Sequence, residues 1–444
     1  MRDYVLTAFV FGCIPLMLKR PHYAILMWVW LSVMNPHRLT WSFAYSMPFA
    51  MVTALVTLAS LLMTKEKKEF PWTPTTVVMV MFALWMVPVQ IFALTPDSYE
   101  GFIRIIKIQF MTLVSLLILN SRERLKYLVW VLAGSIGYFG VKGGIFTLRG
   151  GGTQRVWGPA ESYIEGNNEL ALATLIVIPL IWYIAMQAPK VWIKRALLGA
   201  ALLCVMSAVG SMSRGALLGL IAMAGFLWLK SRHKGVLTVV MIFAIPFIIM
   251  FMPDAWHQRM SSTSNYEQDA SAMGRINAWM MAWNLAWDHP LTGGGFSVAQ
   301  YPMFARYAPD PNDIHAAHSI YFQAMGEMGF VGLALFMLVF FMAWKDAGWV
   351  IRRTSRMPEL RWAHDLAAMV QVSIVGYAVG GAFLSLTYFD LPYYLVVLMV
   401  QLRLIVEKEL KAGVGKRVPA GSAGFAPMPR QLPANRRIAR NGGP

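Results

Sequence analysis

The sequence predicts an all-α, polytopic integral membrane protein, and three observations predict it. Hydrophobic residues make up 57% of the 444 and charged residues only 14%, against about 25% charge in a soluble domain; the mean hydropathy is +0.52. Apolar runs recur along the whole chain, many approaching the roughly 20 residues that a helix needs to cross a bilayer. Lys and Arg gather in short loops between those runs, the pattern that orients membrane spans. Such a chain cannot cover a water-facing surface, which excludes extensive disorder, a secreted disulfide scaffold and a soluble enzyme. Its net charge of +17 would suggest nucleic acid in a soluble protein. Here membrane orientation accounts for it, and no nucleic-acid partner is expected. Cys13 and Cys204 both sit in apolar runs, so neither a disulfide framework nor a Cys-based zinc site is available.

Arg2 is followed at once by the apolar run Tyr4 to Leu18, then by Lys19, Arg20 and Pro21, with no small-residue cleavage site, so this start is not read as a signal peptide. Apolar segments follow at 23–34, 44–63, 74–94, 102–119, 127–147, 168–187, 195–211, 213–229, 236–252, 319–344, 366–387 and 391–406. The first two are short and read as a tilted hairpin or as holding a re-entrant piece. The expected count is about 12 transmembrane helices.

Basic residues crowd the loops 64–70, 120–126, 188–195, 230–235 and 344–356, which are therefore predicted to be cytoplasmic. The alternate loops, 95–101, 149–168, 210–215 and the long stretch 253–317, fall on the far side, the periplasm of a Gram-negative cell. Three regions follow: an N-terminal transmembrane region 1–194, a transmembrane core 195–410 with its periplasmic loop 253–317, and a tail 411–444. The tail, Lys411 to Pro444, carries seven basic residues, no acidic ones and five prolines. It is expected to be disordered in the cytoplasm.

In such a protein the informative residues are ionisable groups at or within the spans, because a mid-membrane Arg costs roughly 2.5–3.5 kcal/mol on insertion scales. Three places stand out on the predicted outer side. Ser211-Met212-Ser213-Arg214-Gly215 makes a tight turn between two apolar runs and sets Arg214 at the membrane edge, to bind an anion or to snorkel to lipid phosphate. Gly274-Arg275 opens a segment with Trp279, Trp283 and Trp287 at i, i+4 and i+8, a stripe suited to the membrane interface or to stacking on sugar rings. The following Gly293-Gly294-Gly295-Phe296 is no nucleotide site, since no strand precedes it. Asp313-Ile314-His315-Ala316-Ala317-His318-Ser319-Ile320-Tyr321 precedes the run 319–344 and brings two histidines to a helix start. No Glu stands between them as in metalloprotease helices, and no metal is expected.

A histidine accepts a hydroxyl proton near neutral pH, and arginines hold phosphate bidentately without losing charge. Together they suit a hydroxyl attacking a phosphate-activated carbon while pyrophosphate leaves. The same trio also suits anion binding for transport, and the chemistry alone does not choose.

These residues resemble the O-antigen ligase family within the O-antigen ligase/polymerase superfamily. The resemblance rests on Ser213-Arg214-Gly215, on the long loop before the penultimate pair of spans, on Gly274-Arg275, and on His318-Ser319-Ile320-Tyr321 followed by Gly326-Glu327-Met328-Gly329. It covers roughly 195–400. The N-terminal part, with Asn35-Pro36-His37-Arg38, is similar to a subgroup described as O-glycosylation or exopolysaccharide ligases. The resemblance implies a membrane-embedded glycosyltransferase of the C type, inverting, and needing no cofactor, neither metal nor ATP. Its donor would be a polysaccharide on undecaprenyl pyrophosphate and its acceptor a sugar hydroxyl of lipid A–core, in the bacterial inner membrane with the active site facing the periplasm. By motif match Arg214 and Arg275 would bind the pyrophosphate and His318 would serve as general base, with His315 as a second candidate.

Lys142, beside Gly140, Gly143 and Gly144 in the span 127–147, either meets lipid phosphate or snorkels. Glu161, Glu165, Asn167, Asn168 and Glu169 cluster before the span 168–187, where they would contact sugar, pair with Arg214 or stay solvated. From this cluster Glu161 and Asn168 are taken as substrate-binding candidates. An O-antigen polymerase and a protein O-oligosaccharyltransferase share the same expected roles. A transporter of lipid-linked sugars or anions would instead place charge along a path through mid-membrane, whereas here the ionisable residues gather at the outer edge.

Overall fold

A computed structural model of the protein describes residues 1–230, 234–261, 270–384 and 386–413. The chain is all-helical, at 77% helix, with no strand among the described residues. The tail from 414 onward lies outside them, as do Glu267 and Asp269 of the long loop.

The helices are α1 (Arg2–Gly12), α2 (Ile14–Lys19), α3 (Pro21–Met34), α4 (Phe49–Met63), α5 (Pro74–Ile91), α6 (Ser98–Ile118), α7 (Arg122–Arg149), α8 (Asn167–Gln187), α9 (Val191–Gly210), α10 (Arg214–Lys230), α11 (Lys234–Phe251), α12 (Asp254–Ser261), α13 (Ala270–Asp288), α14 (Tyr301–Tyr307), α15 (Ile320–Thr354), α16 (Arg361–Gly381) and α17 (Asp390–Lys411). This is a polytopic membrane architecture, but the expected count of about 12 spans is not reached by length and apolarity. Among the described residues six helices meet both demands, α5, α6, α7, α8, α9 and α15; a seventh arises if 237–251 and 254–260, bent by 111°, form one broken span.

The shortfall has physical causes. The first apolar run breaks at Cys13, and Pro15 opens a new helix of 6 residues. α3 and α4 are apolar but only 14 and 15 residues long. α16 carries Arg361, His364 and Asp365 in its first turns, and α17 carries Arg403, Glu407, Lys408 and Lys411 toward its end. From Asp390 to Leu402 every residue of α17 is buried in protein, so its side chains need not match a lipid surroundings. At its far end α15 runs to Thr354, and so absorbs most of the basic stretch expected as a loop at 344–356.

Close packing joins the two halves of the chain. A Cβ at Gly144 of α7 would fall on the Leu203 carbonyl of α9, and only glycine lets those backbones meet there. At one end of the bundle Arg124 of α7 pairs with Glu66 in the α4–α5 connection at 2.7 Å, and Arg403 of α17 with Asp346 of α15 at 2.6 Å. Thr75 adds a 2.5 Å hydrogen bond to Asp346. The connections at the other end, 92–97, 150–166, 211–213, 289–319 and 386–389, gather the motif residues.

The break in α15 is built jointly by two glycine motifs. Gly329 leaves the helical region, at φ 69° and ψ −171°. The carbonyls of Gly326 and Glu327 accept from Gly294 N (2.9 Å) and Gly295 N (3.1 Å), and Phe330 N donates to Pro290 O (2.8 Å). A Cβ on Gly293, itself at φ +61°, would stand 2.5 Å from Gly326 O. The glycine run is therefore a clasp around the helix break, which accounts for three glycines with no nucleotide.

Candidate functional site

The turn before Arg214 is fixed by its own Ser213 and by side chains from two helices, α8 and α12. Met212 is left-handed at φ 55°, and Ser213 Oγ accepts from Ala216 N at 3.2 Å, the N-cap of α10. Asn167, the first residue of α8, donates from Nδ2 to Ser211 O at 2.7 Å. Trp256 Nε1 donates to Val209 O at 3.2 Å and Arg259 Nε to Met212 O at 3.0 Å. Arg214 itself heads α10, where the free amides and helix dipole favour an anion.

Helix α13, which bears Arg275, holds the histidine loop. The ring of His315 lies directly on Gly274, where a side chain would collide with it. Asn277 clamps the loop with three hydrogen bonds: Nδ2 to Asp310 O (2.8 Å) and Asp313 O (2.9 Å), and Asp310 N to Oδ1 (2.9 Å). Trp279 Nε1 donates to Ala317 O at 2.6 Å, and its indole stacks on Phe322 at 4.9 Å and 5°. The predicted tryptophan stripe thus divides. Trp279 braces the site, whereas Trp283 and Trp287 are exposed and pack edge-on with Phe330, as interfacial aromatics do.

His318 ends this loop in the left-handed region, at φ 41°, an uncommon conformation for a residue with a side chain. Ser319 then caps α15 by accepting from Phe322 N. His318 Nδ1 lies 3.7 Å from Glu169 Oε1, with the histidine about one-third exposed and the carboxylate at 15%. That nitrogen is buried and makes no hydrogen bond, so Nε2 is the nitrogen left to a substrate. His315 turns instead to Asp313, Nε2 to Oδ1 at 2.8 Å. Among the described residues no three His, Cys, Asp or Glu side chains converge as metal ligands.

Two residues of one helix start, Asn167 and Glu169, thereby hold the Arg214 turn and face His318. The segment bearing Arg275 grips the same histidine loop. Beneath it Glu327 is buried, with Oε1 accepting from Ser297 N at 3.2 Å. Tyr388 lies beside it, and burial together with the nearby Glu327 charge pushes that phenol well above its ordinary range.

Residues 198–337 match a family described as O-antigen ligase. This match supports membership of the O-antigen ligase superfamily. Residues 1–188 match a family of unknown function. No curated protein matched in a sequence comparison. Arg214, Arg275, His315 and His318 all fall in the O-antigen ligase segment, whereas Asn167 and Glu169 fall in the other. The site is assembled across both matched segments.

The remaining predicted residues part from this cluster. Glu161 pairs with Arg38 at 2.6 Å. Lys142 is on the exposed face of α7, in an apolar groove with Trp130, Tyr138 and Leu197. Asn168 is half-buried, and it is its neighbour Asn167 that bonds the turn. Asn277 escaped sequence reasoning, although a polar residue on a mostly apolar helix face was a usable signal.

Proposed function

We propose that the protein is an O-antigen ligase. It moves a polysaccharide from undecaprenyl pyrophosphate to a sugar hydroxyl of lipid A–core, on the periplasmic side of the inner membrane, inverting the anomeric centre. One observation supports this reading above the others. His318 approaches Glu169 across a loop whose other support is the Arg275 helix, while the start of the Glu169 helix also carries the Arg214 turn.

The roles follow from chemistry. His318 takes the acceptor proton through Nε2 as the glycosidic bond forms. Glu169, near Nδ1, orients the ring and stabilises it once charged. Arg214 and Arg275 offset the charge that builds on the departing pyrophosphate. His315 and Asp313 support the loop. This chemistry requires neither metal nor nucleotide.

The test is purified protein in detergent with lipid-linked polysaccharide and lipid A–core, in EDTA without nucleotide. A size shift of lipid A–core that is lost with His318→Ala supports the reading. Longer lipid-linked chains without that shift would assign a polymerase, and transfer to a Ser or Thr of a protein an O-oligosaccharyltransferase.

A further inference from the structure

A cavity with charged groups in its lining lies at the same end of the bundle, between α3, α6, the start of α17 and the 159–163 loop. Its volume is about 930 Å³, and Arg38, Arg104, Lys107, Glu161, Tyr163 and Asp390 are among the residues lining it. It belongs wholly to neither matched segment: all but Asp390 of these six fall within 1–188. None of them has a part in the transfer step described above.

The lining defines the ligand chemistry. Arg104 and Lys107 stand one turn apart on α6, both exposed, and neither forms an ion pair among the described residues. Two cations facing a cavity without a carboxylate partner suit a phosphate or carboxylate group. Asp390 is 1% exposed, and its Oδ2 has no hydrogen-bond partner. A buried acceptor of this kind costs free energy until a donor reaches it, and a sugar hydroxyl is such a donor. Tyr163 adds an aromatic surface. A lipid tail would leave these charged groups unanswered, and a cavity of this size exceeds what a lone phosphate fills.

We propose that this cavity is a subsite for an anionic glycan, the acceptor's, with Arg104 and Lys107 holding its charged group and Asp390 a hydroxyl. The proposal rests on the glycosyl-transfer reading above. One short segment of chain links the cavity to the reacting end. Glu161, tied to Arg38 on the cavity side, and Glu169, facing His318, lie in one segment on either side of the start of α8. A glycan seated in the cavity would be placed beside the base without touching the arginines assigned to the donor.

The experiment is calorimetry on the full chain in detergent with three probes: an oligosaccharide bearing one phosphomonoester, the same oligosaccharide dephosphorylated, and inorganic phosphate. The phosphorylated oligosaccharide should bind tightest, and Arg104→Gln with Lys107→Gln should weaken it at least tenfold, while Lys142→Gln, which removes a cation elsewhere, leaves it unchanged. No binding by the wild type, or equal binding by the double variant, overturns the proposal. Inorganic phosphate binding as tightly as the oligosaccharide overturns the glycan assignment. Failure of the transfer reading is distinct: glycan binding would persist while the wild type made no transfer product.

Discussion

His318 Nδ1 and Glu169 Oε1 stand 3.7 Å apart, a histidine at the end of one long loop facing a carboxylate in the first turn of α8. The separation exceeds a hydrogen bond, so a small closure on substrate binding would complete the contact, as catalytic hydrogen bonds often tighten only in the complex. Glu169→Gln should lower kcat on the order of tenfold and leave the donor KM unchanged. Transfer assays across donor concentrations check this, and an unchanged kcat would remove Glu169 from the positioning role.

Asn277 is the main clasp on the histidine loop. Asn277→Ala removes three hydrogen bonds to backbone, each worth about 1 kcal/mol, so the loop should lose protection while the helices keep theirs. Hydrogen exchange over 308–318 reads the effect directly. Protection equal to wild type would show that Trp279 and Gly274 suffice.

Glycine substitutions should separate the clasp from the bundle. Gly293→Ala forces a side chain into a left-handed residue and against the Gly326 carbonyl, and it should lower the thermal midpoint, by more than about 1 kcal/mol in free energy. Gly225→Ala in α10 meets open space and should leave the midpoint unchanged or raise it. Differential scanning fluorimetry of both variants gives the comparison. Equal midpoints would mean that the break in α15 is not clasped.

His37 supplies a pH dependence. Burial, and then the neighbouring Arg38 charge, lower its pKa from the ordinary 6.5 to about 4. The folded protein therefore refuses a proton that the unfolded chain accepts between those values. Stability is fully present above about 6.5 and falls as pH drops toward 4. Thermal midpoints between pH 7 and 4.5 should decline in the wild type and less steeply in His37→Asn; parallel slopes would locate the sensitivity elsewhere.

The sequence was informative where one residue type has one physical use. Apolar runs made helices, and Arg214, Arg275 and His318 stood out because charge beside a membrane demands a reason. The number of spans was less legible, since runs broken by Pro15, or buried in protein like α17, do not obey the length and apolarity of a lipid-facing helix. The rule that singled out Lys142 applied equally to Arg104 and Lys107, both inside the run 102–119. Their spacing of three, which sets them on one face, was the missed signal. Asn277 was marked only as a polar residue on a mostly apolar helix face; its partners are main-chain groups of a loop, and no pattern in sequence announces those.

The first turn of α8 has a consequence for how this chain tolerates change. Asn167 and Glu169 are two residues apart, so about 200° of helix rotation separates the group that holds the Arg214 turn from the one that meets His318. Their angular phase, and not their distance, keeps the two appointments. A single residue inserted between them would swing one partner through about 100° and leave every helix, every charge and every motif intact. Substitutions throughout the rest of α8 leave that phase alone, whereas the shortest possible change of length at 167–169 does not.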